Sequence, residues 1–354
     1  MPPAARRGTA PPGPPERGGR AGSERIPISP KGKAANSFVM IEAILDFLVC
    51  PACLPQEHAL HLTAGKREGG DIIAGALTCP ACGAAYAIED GIADLVTAGT
   101  DVPAPQAKYE RERLAASYLW SHFSDLWDDP EATGAYAAWM AALGDCAGAG
   151  LDAGCAVGRF TLELAARTGL AVGIDLSRNF VALARRIARD GGLSFDAPWQ
   201  GRITTRFDFA LPQRLRRGTA EFVRADALRL PFARERFGVA ASLNVVDKLP
   251  APRRHITECQ RVCAAPATLL VADPFSWSPE IAAPGDWIGG TPETGPSGPR
   301  LAALLEGVPG WMAQESVGVA WSIRDHANRF ERIRSETIVA RRSPASSPVL
   351  DEDR

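Results

Sequence analysis

The chain of 354 residues has no long apolar run, no dominant charge and no internal repeat. No stretch approaches the roughly 18 consecutive apolar residues that span a bilayer, so a membrane helix is not expected. The net charge of −2 gives no electrostatic reason for nucleic acid or an anionic membrane to be the main partner, although a local basic patch stays open. Arg6 and Arg7 are followed by Pro, Gly and Ala rather than by an apolar core, so the beginning does not read as a secretory signal. The expected setting is the cytoplasm, where thiols stay reduced and paired cysteines more often hold metal than form disulfides. What is present, 46% hydrophobic and 23% charged residues, is ordinary globular composition.

Residues 1–38 are rich in Pro, Gly, Arg and Ser without apolar periodicity; such a segment cannot bury enough surface to offset chain entropy and is expected to be disordered. Met40 precedes the first apolar run and is an alternative start of translation. Residues 41–97 form a compact cysteine-bearing module, and Thr97–Gln106 reads as a linker. The expected catalytic domain covers 108–342, with 343–354 as a frayed tail. Within it, Tyr109–Leu143 is helical and aromatic. Strands are expected at Gly148–Ala153, Leu170–Ile174, Ala220–Val223, Phe237–Leu243 and Thr268–Ala272. Helices are expected at Arg159–Arg167, Asn179–Arg189 and Arg253–Val262. That alternation implies a parallel sheet covered by helices on both faces, and Glu315–Ile323 with Ser335–Arg341 would close it as an antiparallel hairpin.

Two CxxC knuckles, Cys50-Pro51-Ala52-Cys53 and Cys79-Pro80-Ala81-Cys82, flank residues 54–78. Each such turn aims two thiolates at one point, and two turns complete the tetrahedral sulfur cage that zinc favours; disulfides or free thiols are the alternative. Four cysteine ligands leave no open position, so a metal held by Cys50, Cys53, Cys79 and Cys82 would be structural. With Tyr86-Ala87-Ile88-Glu89-Asp90-Gly91-Ile92 after the second knuckle, the module resembles the small zinc-ribbon proteins that activate tRNA, rRNA and release-factor methyltransferases. Ala87 and Ala93 stand where that family has proline. The resemblance implies a module fused to the enzyme it supports, or a docking platform for a protein partner.

Leu151-Asp152-Ala153-Gly154-Cys155-Ala156-Val157-Gly158 joins an expected strand to an expected helix. Small residues there let backbone approach a ligand closely, though dinucleotide sites use the same device. Gly173-Ile174-Asp175-Leu176-Ser177 puts a carboxylate where ribose hydroxyls would sit. Arg224-Ala225-Asp226-Ala227 places an acid near an adenine edge, and Asn244-Val245-Val246-Asp247 ends the fourth strand. Together they resemble the class I, Rossmann-like S-adenosylmethionine-dependent methyltransferases, in which Ala156 is generically Gly. The resemblance implies cofactor contacts at Asp152, Gly154, Cys155, Gly158, Arg159, Asp175, Leu176, Ser177, Asp226, Ala227 and Asn244.

Cys155-Ala156-Val157-Gly158-Arg159, Asn244-Val245-Val246-Asp247-Lys248-Leu249, Asp273-Pro274-Phe275-Ser276-Trp277 and Trp287-Ile288-Gly289-Gly290 narrow the likeness. This set resembles the carboxyl-terminal methyltransferase domain of ovothiol synthases, which methylates the imidazole of a mercaptohistidine. Lys248, Asp273 and Phe275 replace that family's Arg, Ser and Tyr. The resemblance implies N-methylation of a small imidazole, with Asp247 accepting the other ring N–H and Asn244 orienting the ring or the cofactor. Asp247 as a helix cap is the alternative. His122 and Tyr118 read as packing residues of a lid rather than catalytic ones. Cys259 and Cys263 read as buried thiols on one helix, His58 and His61 as surface, and Arg202, Arg206, Arg214, Arg216 and Arg217 as a solvated edge. Two further functions stay open: methylation of a protein or RNA docked on the ribbon, and a non-catalytic binding protein on a methyltransferase scaffold.

Overall fold

The computed structural model describes residues 41–68, 71–100, 109, 112–315 and 318–344. The expected disordered extension, Met40, residues 101–106 of the linker and 345–354 of the tail lie outside them. Ile41–Phe47 winds as a 3₁₀ helix that buries Ile41 and Ile44. It leads into the first knuckle. Strands β1 (His61–Glu68), β2 (Asp71–Thr78), β3 (Ala85–Glu89) and β4 (Ile92–Ala93) then form an antiparallel meander. The long interval between the knuckles is the β1–β2 hairpin, and the second knuckle is the β2–β3 turn.

The helical stretch expected from Tyr109 to Leu143 is two helices, α1 (Glu112–Phe123) and α2 (Ala135–Leu143). A 3₁₀ turn, Ser124–Trp127, ends at Asp128 with φ 54°. Asp129 then fixes the break by accepting the indole N–H groups of Trp120 and Trp127.

The α/β body follows as β5 (Ala149–Ala153), α3 (Arg159–Thr168), β6 (Leu170–Asp175), α4 (Arg178–Asp190), β7 (Gly192–Gln200), β8 (Ile203–Ala210), β9 (Thr219–Arg224), β10 (Phe237–Leu243), α5 (Pro252–Val262), β11 (Cys263–Asp273), α6 (Ser297–Glu306), β12 (Trp311–Glu315), β13 (Val319–His326) and β14 (Arg329–Arg342). Local chemistry explains several boundaries. Ser177 caps α4 by accepting the Phe180 N–H at 3.2 Å. Pro252 opens α5, where a missing N–H costs nothing.

The main sheet runs β12-β14-β11-β10-β5-β6-β9, with β13 paired to β14. β9, β6, β5, β10 and β11 are parallel, while β14 is antiparallel to both its neighbours. Alternate strand residues enter two cores: Leu151, Val172 and Ile174 one, and Ala171, Phe222 and Val239 the other. The sheet is therefore covered on both faces, as its nearly continuous apolar parallel strands require.

Two expectations are corrected, and one insertion gains a defined structure. The single strand Glu315–Ile323 is two strands, because the long β14 takes β12 along Ile338–Arg342 and β13 along Arg329–Ser335. The arginine-bearing insertion carries the β7–β8 hairpin, whose Phe209 stacks on Phe123 of α1 at 4.6 Å, while Arg202, Arg206, Arg214, Arg216 and Arg217 are exposed. Cys263 begins β11 rather than sharing the helix of Cys259, though both thiols are buried.

The ribbon shares a core with the body: Ile44, Leu48 and Leu77 pack in one cluster with Leu230, Phe232 and Phe237. Backbone joins them too. Leu48 bridges Phe232, Asp94 pairs in parallel with Arg224 at the end of β9, and Leu95 N–H donates to Arg224 O at 2.8 Å. The ribbon thus covers backbone groups that the edge strand β9 would otherwise leave open.

Candidate active site

The four cysteine sulfurs lie within 4.8 Å of one another. Sγ of Cys50 is 3.7 Å from that of Cys82, and Sγ of Cys53 is 3.8 Å from that of Cys79. A disulfide needs about 2.05 Å, whereas ligands about 2.3 Å from a tetrahedral zinc sit about 3.8 Å apart. The donor set fits zinc.

In the α/β body the chain builds outward from β5 through β6 to β9, then crosses back to lay β10 on the other side of β5. A crevice opens at such a switch point, beyond the carboxyl ends of the strands. It holds a cavity of the concave, largely apolar kind that small molecules occupy. Asp152, Gly154, Cys155, Asp175, Leu176, Asp226, Ala227 and Asn244 all line it, eight expected residues brought together from four strand ends.

Their geometry explains their identities. Gly154 has φ +91°, and a Cβ there would stand 2.3 Å from Val245 Cγ2, so only glycine fits. Asp175 accepts backbone N–H groups from Ala156 at 3.0 Å and Ser177 at 2.9 Å. Asp152 is buried and accepts the Thr161 hydroxyl at 2.8 Å; burial pushes its pKa up to about 7. Asp226 accepts the Leu228 N–H at 2.8 Å. Asn244 sits at φ 59°, a region asparagine tolerates well, and its side-chain oxygen accepts the Ser335 hydroxyl. Arg224 links the ribbon to this wall: it donates to Leu176 O at 2.8 Å and to Asp94 at 2.7 Å.

Four expected residues do not line the cavity. Gly158 serves packing, since a Cβ there would meet Phe222 at 2.7 Å and Ala184 at 2.8 Å. Ser177 is spent as the α4 cap. Arg159 is 1% exposed and forks onto Asp125 at 2.6 and 2.8 Å, with Glu163 at 3.1 Å. Its charge is consumed inside the protein. Asp247 is also 1% exposed; one oxygen accepts the Ser276 N–H at 2.8 Å and pairs with Lys248 Nζ at 2.9 Å. It organises Lys248, which does line the cavity, and the 273–276 loop; it caps no helix. Asp273, beside it, is pushed up to about 8 by burial, with the Asp247 charge adding to the shift.

Sequence reasoning placed little on the other wall. Tyr109, Tyr118, His122, Tyr136, Trp139 and Trp321 line the cavity from α1, α2, β13 and the segment before α1. The aromatic spacing of 109–139 was the available signal. His122 is part of this wall, packed 5.3 Å from the Tyr136 ring and 5.9 Å from Trp321. Burial, with the Arg159 charge nearby, pushes its pKa down to about 3, so the ring is uncharged at neutral pH.

Residues 151–271 match the family described as methyltransferase domain. The chain carries a methyltransferase domain. Residues 42–91 match the family described as Trm112p-like protein, which covers the ribbon. The methyltransferase uses S-adenosylmethionine. No curated protein sequence matches the chain. Among solved structures, the chain is similar to a S-adenosylmethionine-dependent methyltransferase from Methanosarcina mazei, with 21% identity, 58% of this chain and 97% of that one covered, and a TM-score of 0.38. It is also similar to magnesium protoporphyrin IX methyltransferase from Synechocystis, with 16% identity, 69% and 86% covered, and a TM-score of 0.37. No helix of the described residues is long and apolar enough to cross a membrane.

Proposed function

We propose that the methyltransferase domain methylates a neutral ring nitrogen of a small imidazole-like molecule. The observation that carries this reading is the aromatic wall: Tyr118, Tyr136 and Trp321 pack around an uncharged His122, and with Trp139 they line the same cavity as the expected cofactor residues. When bound, S-adenosylmethionine supplies an electrophilic methyl group. The ring nitrogen uses its own lone pair, so alignment is the main catalytic demand. Stacked aromatic side chains hold a planar ring in register, and their negative faces favour the positive charge that the ring acquires. Asn244 orients the reactants from the strand-end side. Asp247 acts as a positioning residue through Lys248 and Ser276, a change from direct contact with the substrate ring.

The test presents methyl-labelled S-adenosylmethionine to the zinc-loaded protein with imidazole, histidine and thiol-substituted histidine, and separately with cell extract. Label in the small azoles supports the reading. Label confined to the macromolecular fraction overturns it in favour of a protein or RNA acceptor. An Asp175→Ala variant should bind S-adenosylmethionine about 10- to 100-fold more weakly by calorimetry, the worth of a charge-assisted hydrogen bond.

A further inference from the structure

Three nitrogens in the aromatic wall have no hydrogen-bond partner among the described residues: Nδ1 of His122, Nε1 of Trp139 and Nε1 of Trp321. His122 is 7% exposed and Trp139 1%, and both line the cavity. An indole N–H can only donate, and leaving a buried donor unsatisfied is destabilising. A ligand acceptor would recover that cost. The other indole of the wall, Trp321, has the Tyr136 hydroxyl beside it.

The surroundings of His122 fix what it can offer. Tyr118, Tyr136 and Trp321 hold its ring on three sides, at 5.8, 5.3 and 5.9 Å between centroids. Behind it, Arg159 Nη1 donates to the His122 carbonyl at 2.8 Å, so a positive charge sits next to the ring and opposes a second one. An uncharged imidazole keeps one nitrogen as a pure acceptor. The wall therefore offers an acceptor at His122 and a donor at Trp139, on a surface otherwise made of aromatic faces.

We propose that His122 and Trp139 bind the methyl acceptor, His122 Nδ1 accepting the N–H of an azole ring and Trp139 Nε1–H donating to a second, acceptor atom of the same molecule. This rests on the imidazole reading above and narrows it to azoles whose non-nucleophilic nitrogen carries hydrogen. Holding that N–H fixes the tautomer and turns the other ring nitrogen, with its lone pair, toward the methyl group. The N–C bond forms as the C–S bond breaks, and the bonding pair stays on sulfur. The ring becomes a cation, and its N–H proton passes to water as the product leaves, because His122 is too weak a base to keep it.

The experiment is calorimetric titration of the zinc-loaded protein, saturated with S-adenosylhomocysteine, with imidazole and with 1-methylimidazole at a pH where both probes are neutral. The second probe lacks the N–H. Imidazole should bind at least about 10-fold more tightly, the usual worth of one buried hydrogen bond lost. His122→Phe should abolish the preference and His122→Asn, which keeps an acceptor oxygen, should restore part of it, both with unchanged S-adenosylhomocysteine affinity as the check on folding. In protein labelled with ¹⁵N-histidine, the His122 Nδ1 resonance should shift with imidazole and not with 1-methylimidazole, which a merely structural histidine would not do. A preference that survives His122→Phe overturns the role of His122 and leaves the imidazole reading standing. No saturable binding of either azole to the wild-type complex overturns the imidazole reading, and this inference with it.

Discussion

Arg159 and Asp125 form a two-pronged ion pair, at 2.6 and 2.8 Å, that ties the first turn of α3 to the 3₁₀ turn after α1. The same guanidinium lies 5.1 Å over the Tyr136 ring. Because Tyr136 and His122 both line the cavity, this ion pair builds the aromatic wall from behind instead of touching a ligand.

Arg159→Ala should therefore act on stability. Removing one partner of a buried pair costs about 3–5 kcal/mol, readable as a shift in the urea midpoint. Affinity of the folded protein for S-adenosylmethionine should stay within about threefold, that is within about 0.7 kcal/mol. A large loss of affinity at unchanged stability would return Arg159 to the cofactor.

Ala156→Gly should be neutral or stabilising. Ala156 has φ 45°, in the left-handed region where a Cβ costs roughly 1 kcal/mol relative to glycine. Its N–H is bonded to Asp175, which the substitution keeps. Chemical denaturation should show a gain of up to about 1 kcal/mol with cofactor affinity preserved; a clear loss would mean that the methyl group has a packing role.

Removing zinc should destabilise the whole chain instead of releasing a separate ribbon. Leu48 and Leu77 share a core with Phe232 and Phe237, and Arg224 joins Asp94 to the carbonyl of Leu176. With chelator, or in Cys79→Ser, calorimetry should show one unfolding transition at lower temperature, and elemental analysis should fall from one zinc per chain toward none. A methyltransferase transition that stays in place as the ribbon melts earlier would contradict the shared core.

The pH dependence of stability carries a His122 signature. Its folded pKa, about 3, lies below the ordinary value of 6.5. As pH falls through about 6.5 the unfolded chain takes up a proton that the folded chain refuses, so the contribution is complete above 6.5 and lost progressively down to about 3. Relative to His122→Asn, wild-type stability should drop more steeply there, by up to about 1.4 kcal/mol per pH unit. Parallel curves for the two proteins would show that the ring is solvated.

Features set by short-range chemistry were legible without coordinates. The two CxxC turns, the turn from Gly154 to Gly158 and the apolar parallel strands depend on neighbours a few residues away. Asp175 belongs here too, since its partners are the two adjoining turns. The split between β12 and β13, the ribbon's seat on β9 and the fate of Arg159 and Asp247 depend on partners far along the chain. A charged residue after a glycine-rich turn has the same sequence whether it meets a ligand or an aspartate from another helix. The aromatic wall shows the limit most plainly: His122, Trp139 and Trp321 meet only because β13 folds back against α1 and α2, and only burial there leaves the histidine uncharged.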